Sequence, residues 1–309
     1  MSERAHITVL CGGPSSEREV SLVSGRSIAQ ALEKYFTVER VEFAQDALPA
    51  GLDPAKTVIF PALHGAFGED GQIQALLEAR GFAYAGSGPT ASALCMDKAA
   101  TKAKVADCGF TEAPAWIFSH DRIPDPAALM ERLGAHLVIK PVAEGSSVGL
   151  HLCANRMELD QALAALTPGL WMAETFIKGR EMTVGILDGE AMGIVEIVPK
   201  GGLYDYAHKY TAGATEYRFP AEVPEELAAQ IRTYAERAFA ACGCRDFGRV
   251  DFILTPDGLP YFLEINTIPG LTPTSLLPKS ASCCGLDFET LARRMIEPAL
   301  RRGKKTQLT

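Results

Sequence analysis

The stretch RVDFILTPDGLPYFLEIN, residues 249–266, reads as a β-hairpin with a chemical face. Asp257–Gly258 is a dipeptide suited to a tight hairpin turn, and the flanking runs VDFIL and YFLEI have strand character. If the loop is symmetric about that dipeptide, Asp251 lies opposite Glu264 and Arg249 opposite Asn266. Side chains alternate faces along a strand, so these four share one face while Val250, Phe252, Leu263 and Ile265 line the other. Two directly opposed carboxylates repel, and a cation between them removes that repulsion. Asp251, Glu264 and the amide oxygen of Asn266 form a hard-oxygen set suited to Mg²⁺, which completes its shell with water and substrate phosphates. The competing account is a surface cluster neutralised by Arg249. Pro256 and Pro260 also leave the register open to a slip of one residue, which would separate the four side chains.

Upstream, strand and helix patterns alternate. His6–Leu10 and Val38–Phe43 read as strands, and between them Ile28, Ala31, Leu32 and Tyr35 carry the spacing of one buried helix face. Thr57–Leu63 is a third strand, followed by HGAFGEDG and a helix over Gln72–Ala79. Such alternation implies a parallel sheet with crossover helices, which gathers ligands at the carboxyl ends of its strands. Gly12–Gly13 and His64 follow two such ends.

Ala85–Ser92 reads as a linker, and a helix over about Asp97–Cys108 closes at Gly109. Strand 137–140, loop 141–149, a helix over Met157–Leu166 and strand 171–175 come next. Residues 181–198 form a second hairpin candidate around Asp188–Gly189, and helices over Glu225–Ala240 and Phe288–Leu300 frame the late hairpin. The pattern gives three modules, one α/β and two α+β.

With 309 residues the chain has room for two or three modules. Its 47% apolar and 22% charged residues mark a globular protein. A net charge of -8 argues against a general nucleic-acid surface, though a few placed lysines can still hold a nucleotide. No apolar run reaches the roughly 20 residues of a membrane helix, and the start MSERAHITVL lacks a signal peptide's apolar stretch, so a cytoplasmic location is expected. The eight cysteines lack metal-type spacing, and reduced thiols are expected.

The middle module supplies candidate phosphate ligands. Lys140 ends the strand LVIK and EGSSVG follows it, so backbone N–H groups and an ammonium could meet phosphate oxygens together. Lys98 lies in the first turn of a helix. Neither a P-loop GxxxxGKS/T nor a full GxGxxG is present.

GGPSSEREVSL, LHGAFGEDG, MDK, IKPVAEGSSVG, DYAHKY, FGRVDF and LEINTIPGLTPTSLLPK follow one another in the order, and at about the spacing, of the D-alanine–D-alanine ligases. The chain resembles this ATP-grasp family along nearly its whole length. The resemblance implies an ATP-grasp fold: a Rossmann-like α/β domain (1–96) followed by two α+β domains (97–184 and 185–309) that clamp ATP. It implies ATP-driven joining of two D-alanines through an acyl phosphate, for peptidoglycan precursors, by a cytoplasmic homodimer. No nucleic-acid or membrane partner is expected.

By motif, Lys98, Lys140 and Lys209 would reach ATP phosphates; Glu174, Thr175, Phe176 and Ile177 would line adenine, and Glu181 would bind ribose. Asp251, Glu264 and Asn266 would hold two Mg²⁺ ions, with Mn²⁺ able to substitute. Glu17 and His64 would meet the first D-alanine, Arg249 and the Gly270 N–H the oxyanion, and Ser275 and Leu276 the second carboxylate. Ser146 and Tyr210 would join the EGSSVG loop to a lid near 201–217, and Tyr210 implies an amide rather than an ester product. Departures from the family pattern are Pro14, Ala66–Phe67 and Ile268. Two other readings stay open: a ligase with D-serine or D-lactate as acceptor, and a nucleotide-binding sensor without catalysis. The intact set Lys98, Lys140, Arg249, Asp251, Glu264 and Asn266 argues against the sensor.

Overall fold

The computed structural model describes residues 5–145, 148–199 and 215–306. The expected site residues Ser146, Lys209 and Tyr210, and most of the expected lid, lie outside the described residues.

The first sheet has the order β2-β1-β3 and is parallel, as the alternating pattern requires: β1 (His6–Gly12), β2 (Thr37–Phe43) and β3 (Val58–Pro61). The crossover helix α1 (Arg18–Leu32) buries Ile28, Ala29, Ala31 and Leu32, the face its periodicity marks. After α2 (Gln72–Ala79), the expected linker is replaced by a helix, α3 (Pro89–Met96). Pro89 is tolerated there because the first helical residue needs no N–H partner, and Ala91 and Ser92 are buried. Helix α4 (Lys98–Val105) starts at Asp97, whose carboxylate accepts the Ala100 N–H at 2.9 Å, and a short 3-10 turn ends it at Gly109, φ +111°.

The second sheet, order β4-β7-β5-β6, is antiparallel: β4 (Ala115–Ser119), β5 (Leu137–Pro141), β6 (His151–Cys153) and β7 (Leu170–Thr175). Leu137, Ile139, Trp171 and Ala173 pack under α5 (Pro126–Leu133) and α6 (Arg156–Ala164). Alternation then sends Lys140, Met172 and Glu174 to the opposite face.

The third sheet runs β10-β9-β8-β11-β12, with β8 (Arg180–Leu187), β9 (Glu190–Pro199), β10 (Thr215–Arg218), β11 (Phe247–Leu254) and β12 (Pro260–Asn266). Strand β8 passes unbroken across residues 184 and 185, where a domain border was expected. The turn after it holds Asp188 and Gly189 at φ +54° and +83°, the two-residue hairpin its sequence announces. Helix α7 (Glu225–Ala241) packs on Met182, Val184, Val250 and Phe252.

The late hairpin pairs Arg249 with Asn266 and Asp251 with Glu264, the symmetric register. Closer to the turn the register shifts by one residue, so Phe252 faces Phe262 and Leu254 faces Pro260. Leu263 is the extra residue, and Phe262 rather than Leu263 joins Val250, Phe252 and Ile265 in the core. Contacts at the outer edge of β12 accompany the shift: the Thr111 N–H donates to Pro260 O at 2.8 Å and the Phe262 N–H to Thr111 O at 3.0 Å. Only Gly258 of the turn dipeptide has positive φ, so the loop spans Thr255–Leu259 instead of two residues.

Helices α8 (Leu276–Ser282) and α9 (Phe288–Thr306) close the chain, α9 continuing past the expected end at Leu300. One core unites Ile7, Val9 and Phe60 of the first sheet with Ile268, Leu271, Leu277 and Met295. Phe60 and Phe247 stack with centroids 5.9 Å apart, which anchors the start of β11 to the first sheet.

Candidate active site

Arg249 and Asp251 lie two residues apart on β11 and so face the same way. Arg249 Nε and Nη2 each donate to one oxygen of Asp251 at 2.8 Å. Thr183 on β8 donates its hydroxyl to Asp251 Oδ1 at 2.5 Å, and Asn266 Nδ2 donates to Oδ2 at 2.9 Å. Arg249, Asp251 and Thr183 are buried, so the cluster is largely withdrawn from solvent. Thr183 was not expected; its place follows from pairing opposite Asp251 across β8 and β11. Glu181 lies two residues along β8 on the same face.

Glu264 connects the hairpin to α4, with its Oε2 3.4 Å from Lys98 Nζ. Lys98 also donates its backbone N–H to Val142 O at 3.0 Å and its ammonium to Glu144 O at 2.5 Å. One lysine thus ties loop 141–149 to the carboxylate face.

Behind it lies a second buried set. Glu174 is held between Lys140, at 2.5 Å, and Lys102, one helical turn beyond Lys98. Burial works to raise the Glu174 carboxyl, but the two ammonium groups outweigh it and hold it below the usual carboxylate range. Burial, aided by repulsion from Lys140, pushes Lys102 below the usual lysine range despite Glu174 beside it. Lys102 was missed because a lysine in KAATKAKV reads as solvent-facing; its partner is 72 residues away. Thr175 is pinned by its hydroxyl to Leu133 O at 2.7 Å, and Phe176 and Ile177 follow it, Phe176 exposed.

Glu17 precedes α1 yet makes no side-chain cap, so its carboxylate is not spent on the helix end. It is buried, and its Oε2 would stand 3.0 Å from a Cβ placed on Gly65 and 3.8 Å from one on Gly145. Gly145 therefore lies close to Glu17, in the connection from β1 to α1. His64 is buried with both ring nitrogens engaged: Nδ1 is 3.1 Å from Glu69 and Nε2 is 2.8 Å from the Ser24 hydroxyl. A carboxylate only accepts, so Nδ1 carries the proton, and in the neutral ring Nε2 accepts from Ser24. Glu69 and Ser24 were not foreseen.

After β12 the chain turns through Gly270, where a Cβ would stand 3.0 Å from Ser275 Oγ. Ser275 precedes α8 without capping it; its hydroxyl instead lies 2.8 Å from Thr272 Oγ1 and accepts the Thr272 N–H at 3.1 Å. Ser280, one turn into α8, accepts the Gly185 N–H at 2.9 Å and donates to Gly193 O, fastening this helix over the site face of the sheet.

The donors on that face suit a hard cation. They are two carboxylates and an amide, and among the described residues no group of three or more His, Cys, Asp or Glu is placed to hold a metal. Such a set fits Mg²⁺ when phosphate oxygens complete the shell.

Residues 107–297 match the family described as D-ala D-ala ligase C-terminus, and residues 37–87 the D-ala D-ala ligase N-terminus. This chain belongs to the D-alanine–D-alanine ligase family. It is 44% identical over 296 residues to the D-alanine–D-alanine ligase of Anaeromyxobacter sp. (strain K), covering 95% of this chain and 96% of that one. Among solved structures, D-alanine–D-alanine ligase from Bacillus anthracis complexed with ATP shares a TM-score of 0.84 at 31% identity, covering 99% of this chain and 100% of that chain. The VanG D-Ala:D-Ser ligase from Enterococcus faecalis shares 0.82 at 28% identity, covering 96% and 100%. The fold is the ATP-grasp arrangement of this ligase family. No helix among the described residues is long and apolar enough to cross a membrane.

Proposed function

We propose that this protein joins two D-alanine molecules into D-alanyl-D-alanine, with ATP converted to ADP and phosphate. ATP phosphorylates the carboxylate of the first D-alanine; the amine of the second attacks that acyl phosphate, and the tetrahedral intermediate expels phosphate. The observation that carries this reading is one face on which Arg249, Asp251, Asn266 and Glu264 converge, with Lys98 joining Glu264 to loop 141–149.

In this reading Asp251, Glu264 and Asn266 hold two Mg²⁺ ions, for which Mn²⁺ can substitute. A metal held there would supply positive charge against the transferring phosphoryl group. Lys98, Lys140 and Lys209 take the phosphates, and residues 174–177 with Glu181 take adenine and ribose. Glu17 receives the first ammonium group. His64, whose ring nitrogens are already engaged, acts by holding its loop against Ser15, which donates to His64 O at 2.6 Å. Arg249 and the Gly270 N–H stabilise the oxyanion, and Ser275 and the Leu276 N–H receive the second carboxylate. Ser146 and Tyr210 join the loops that exclude water.

The three units are residues 1–96 and two α+β units. We place the border between the latter in the connection before Arg180, because β8 belongs wholly to the third sheet. A cytoplasmic homodimer serving peptidoglycan synthesis completes the proposal. The test is incubation with ATP, Mg²⁺ and D-alanine, which should release phosphate and yield the dipeptide. Brisk turnover with D-serine or D-lactate as acceptor but none with D-alanine overturns it, as does tight ATP binding without any product.

A further inference from the structure

All eight cysteines are free thiols, and three of them meet away from the site described above. Cys95 lies in the last turn of α3, while Cys242 and Cys244 flank Gly243 where α7 ends. Gly243 takes φ +70°, and the Cys244 N–H bonds back to Phe239 O at 3.1 Å. Cys95 Sγ stands 3.5 Å from Cys244 Sγ across a sequence separation of 149, and Cys242 shares the same buried core. Cys95 and Cys242 are buried, whereas Cys244 is partly open. The helices that carry them share one core with Phe239, Val105 and Phe110, so packing holds the sulfurs in register. A disulfide needs a separation of about 2.05 Å, so the two sulfurs must close from 3.5 Å.

We infer that Cys95 and Cys244 are a reversible dithiol–disulfide pair whose oxidant is a hydroperoxide. Cys244, the accessible member, attacks as the thiolate: an S–O bond forms, the O–O bond breaks, and the departing hydroxide takes up the thiol proton as water. The Cys95 sulfur then attacks the sulfenic acid: the S–S bond forms, the S–O bond breaks, and hydroxide leaves with the Cys95 proton as a second water. Two thiols and one hydrogen peroxide thus give one disulfide and two waters. A small-molecule dithiol reverses the bond by exchange. The link closes a long loop between α3 and the end of α7, so the oxidised chain resists heat better than the reduced one. This inference does not depend on the ligase reading.

The test uses the intact, reduced protein, freed of reductant and treated with stepwise hydrogen peroxide. Remaining thiols are blocked with N-ethylmaleimide and the peptides mapped by mass spectrometry. Expected are a first cross-link between Cys95 and Cys244, recovery of both thiols with dithiothreitol, and a higher melting temperature of the oxidised form. In Cys95→Ser, oxidation should stop at a Cys244 sulfenic acid that dimedone traps. The inference falls if the first cross-link joins other cysteines, if Cys244 reaches sulfinic acid while Cys95 still titrates, or if Cys95→Ser yields no trapped sulfenic acid. The parent mapping stands by itself should the variant fold poorly.

Discussion

Arg249 and Asp251 form a two-pronged ion pair within a single strand, both N–H···O distances being 2.8 Å. Asp251 also accepts from Thr183 and Asn266. A carboxylate so fully satisfied is held in one orientation. The Asn266 amide nitrogen is turned toward Asp251, which directs the amide oxygen elsewhere. The pair therefore fixes the orientation of Asp251 and of the Asn266 amide on this face before any ligand arrives.

Arg249→Ala is expected to lower kcat by about 10²–10³, the loss typical of one missing oxyanion donor. Arg249→Lys keeps the charge but loses the fork, and should recover only part of that. Steady-state kinetics with saturating D-alanine and ATP check both. A rate for Arg249→Ala within a few-fold of the parent would remove it from the reaction centre.

Glu264→Gln preserves shape and removes one charge from the proposed metal set. The Mg²⁺ concentration for half-maximal activity should rise by at least about tenfold, the effect of losing about 1.4 kcal/mol of binding. Titration of Mn²⁺ by electron paramagnetic resonance, with nucleotide present, gives a second readout independent of turnover. Unchanged metal dependence in both would place the metal elsewhere.

Much of the hairpin face was legible because strand alternation and a turn dipeptide fix which side chains lie together. The shift at Leu263 was not, since Thr111, far away in sequence, bonds the outer edge of β12 there. Pro89 read as part of a linker because Gly, Ser and Pro cluster there, yet the segment folds as a helix that buries Ala91 and Cys95. Lys102, Thr183, Ser24 and Glu69 stayed invisible for one reason: each is polar, ordinary in its local context, and acquires meaning only from a tertiary partner. Local pattern carries faces and periods but not such pairings.

Gly179→Ala tests the connection between the second and third sheets. A Cβ there would lie 2.6 Å from Leu254 O and 2.5 Å from Ile253 Cγ2, so β11 itself would have to move. Overpacking of this kind costs about 1–3 kcal/mol. A lower melting temperature is expected, together with reduced activity because β11 carries Arg249 and Asp251. An unchanged melting temperature would show that the connection yields freely.

The set Lys102–Glu174–Lys140 predicts a pH signature and a split between two substitutions. Glu174→Leu strands two buried ammonium groups and should cost about 3–5 kcal/mol of stability. Lys102→Met leaves the neutral Lys140–Glu174 pair and should cost far less. Because the folded Glu174 carboxyl is held low, its contribution is fully present above its unfolded value of about 4.3 and is lost as pH falls through the lower folded value. Without Lys102 the folded value rises toward the unfolded one, so Lys102→Met should lose less stability to acid than the parent, and its loss should level off at higher pH. Lys140 then also becomes the sole counter-ion of Glu174 and is less free to reach a phosphate. KM for ATP should rise roughly tenfold, equivalent to one weakened charge-assisted hydrogen bond, with kcat changed less. Melting temperatures across the acid range and ATP saturation curves decide it: coincident acid limbs and equal KM values would make Lys102 a passive filler.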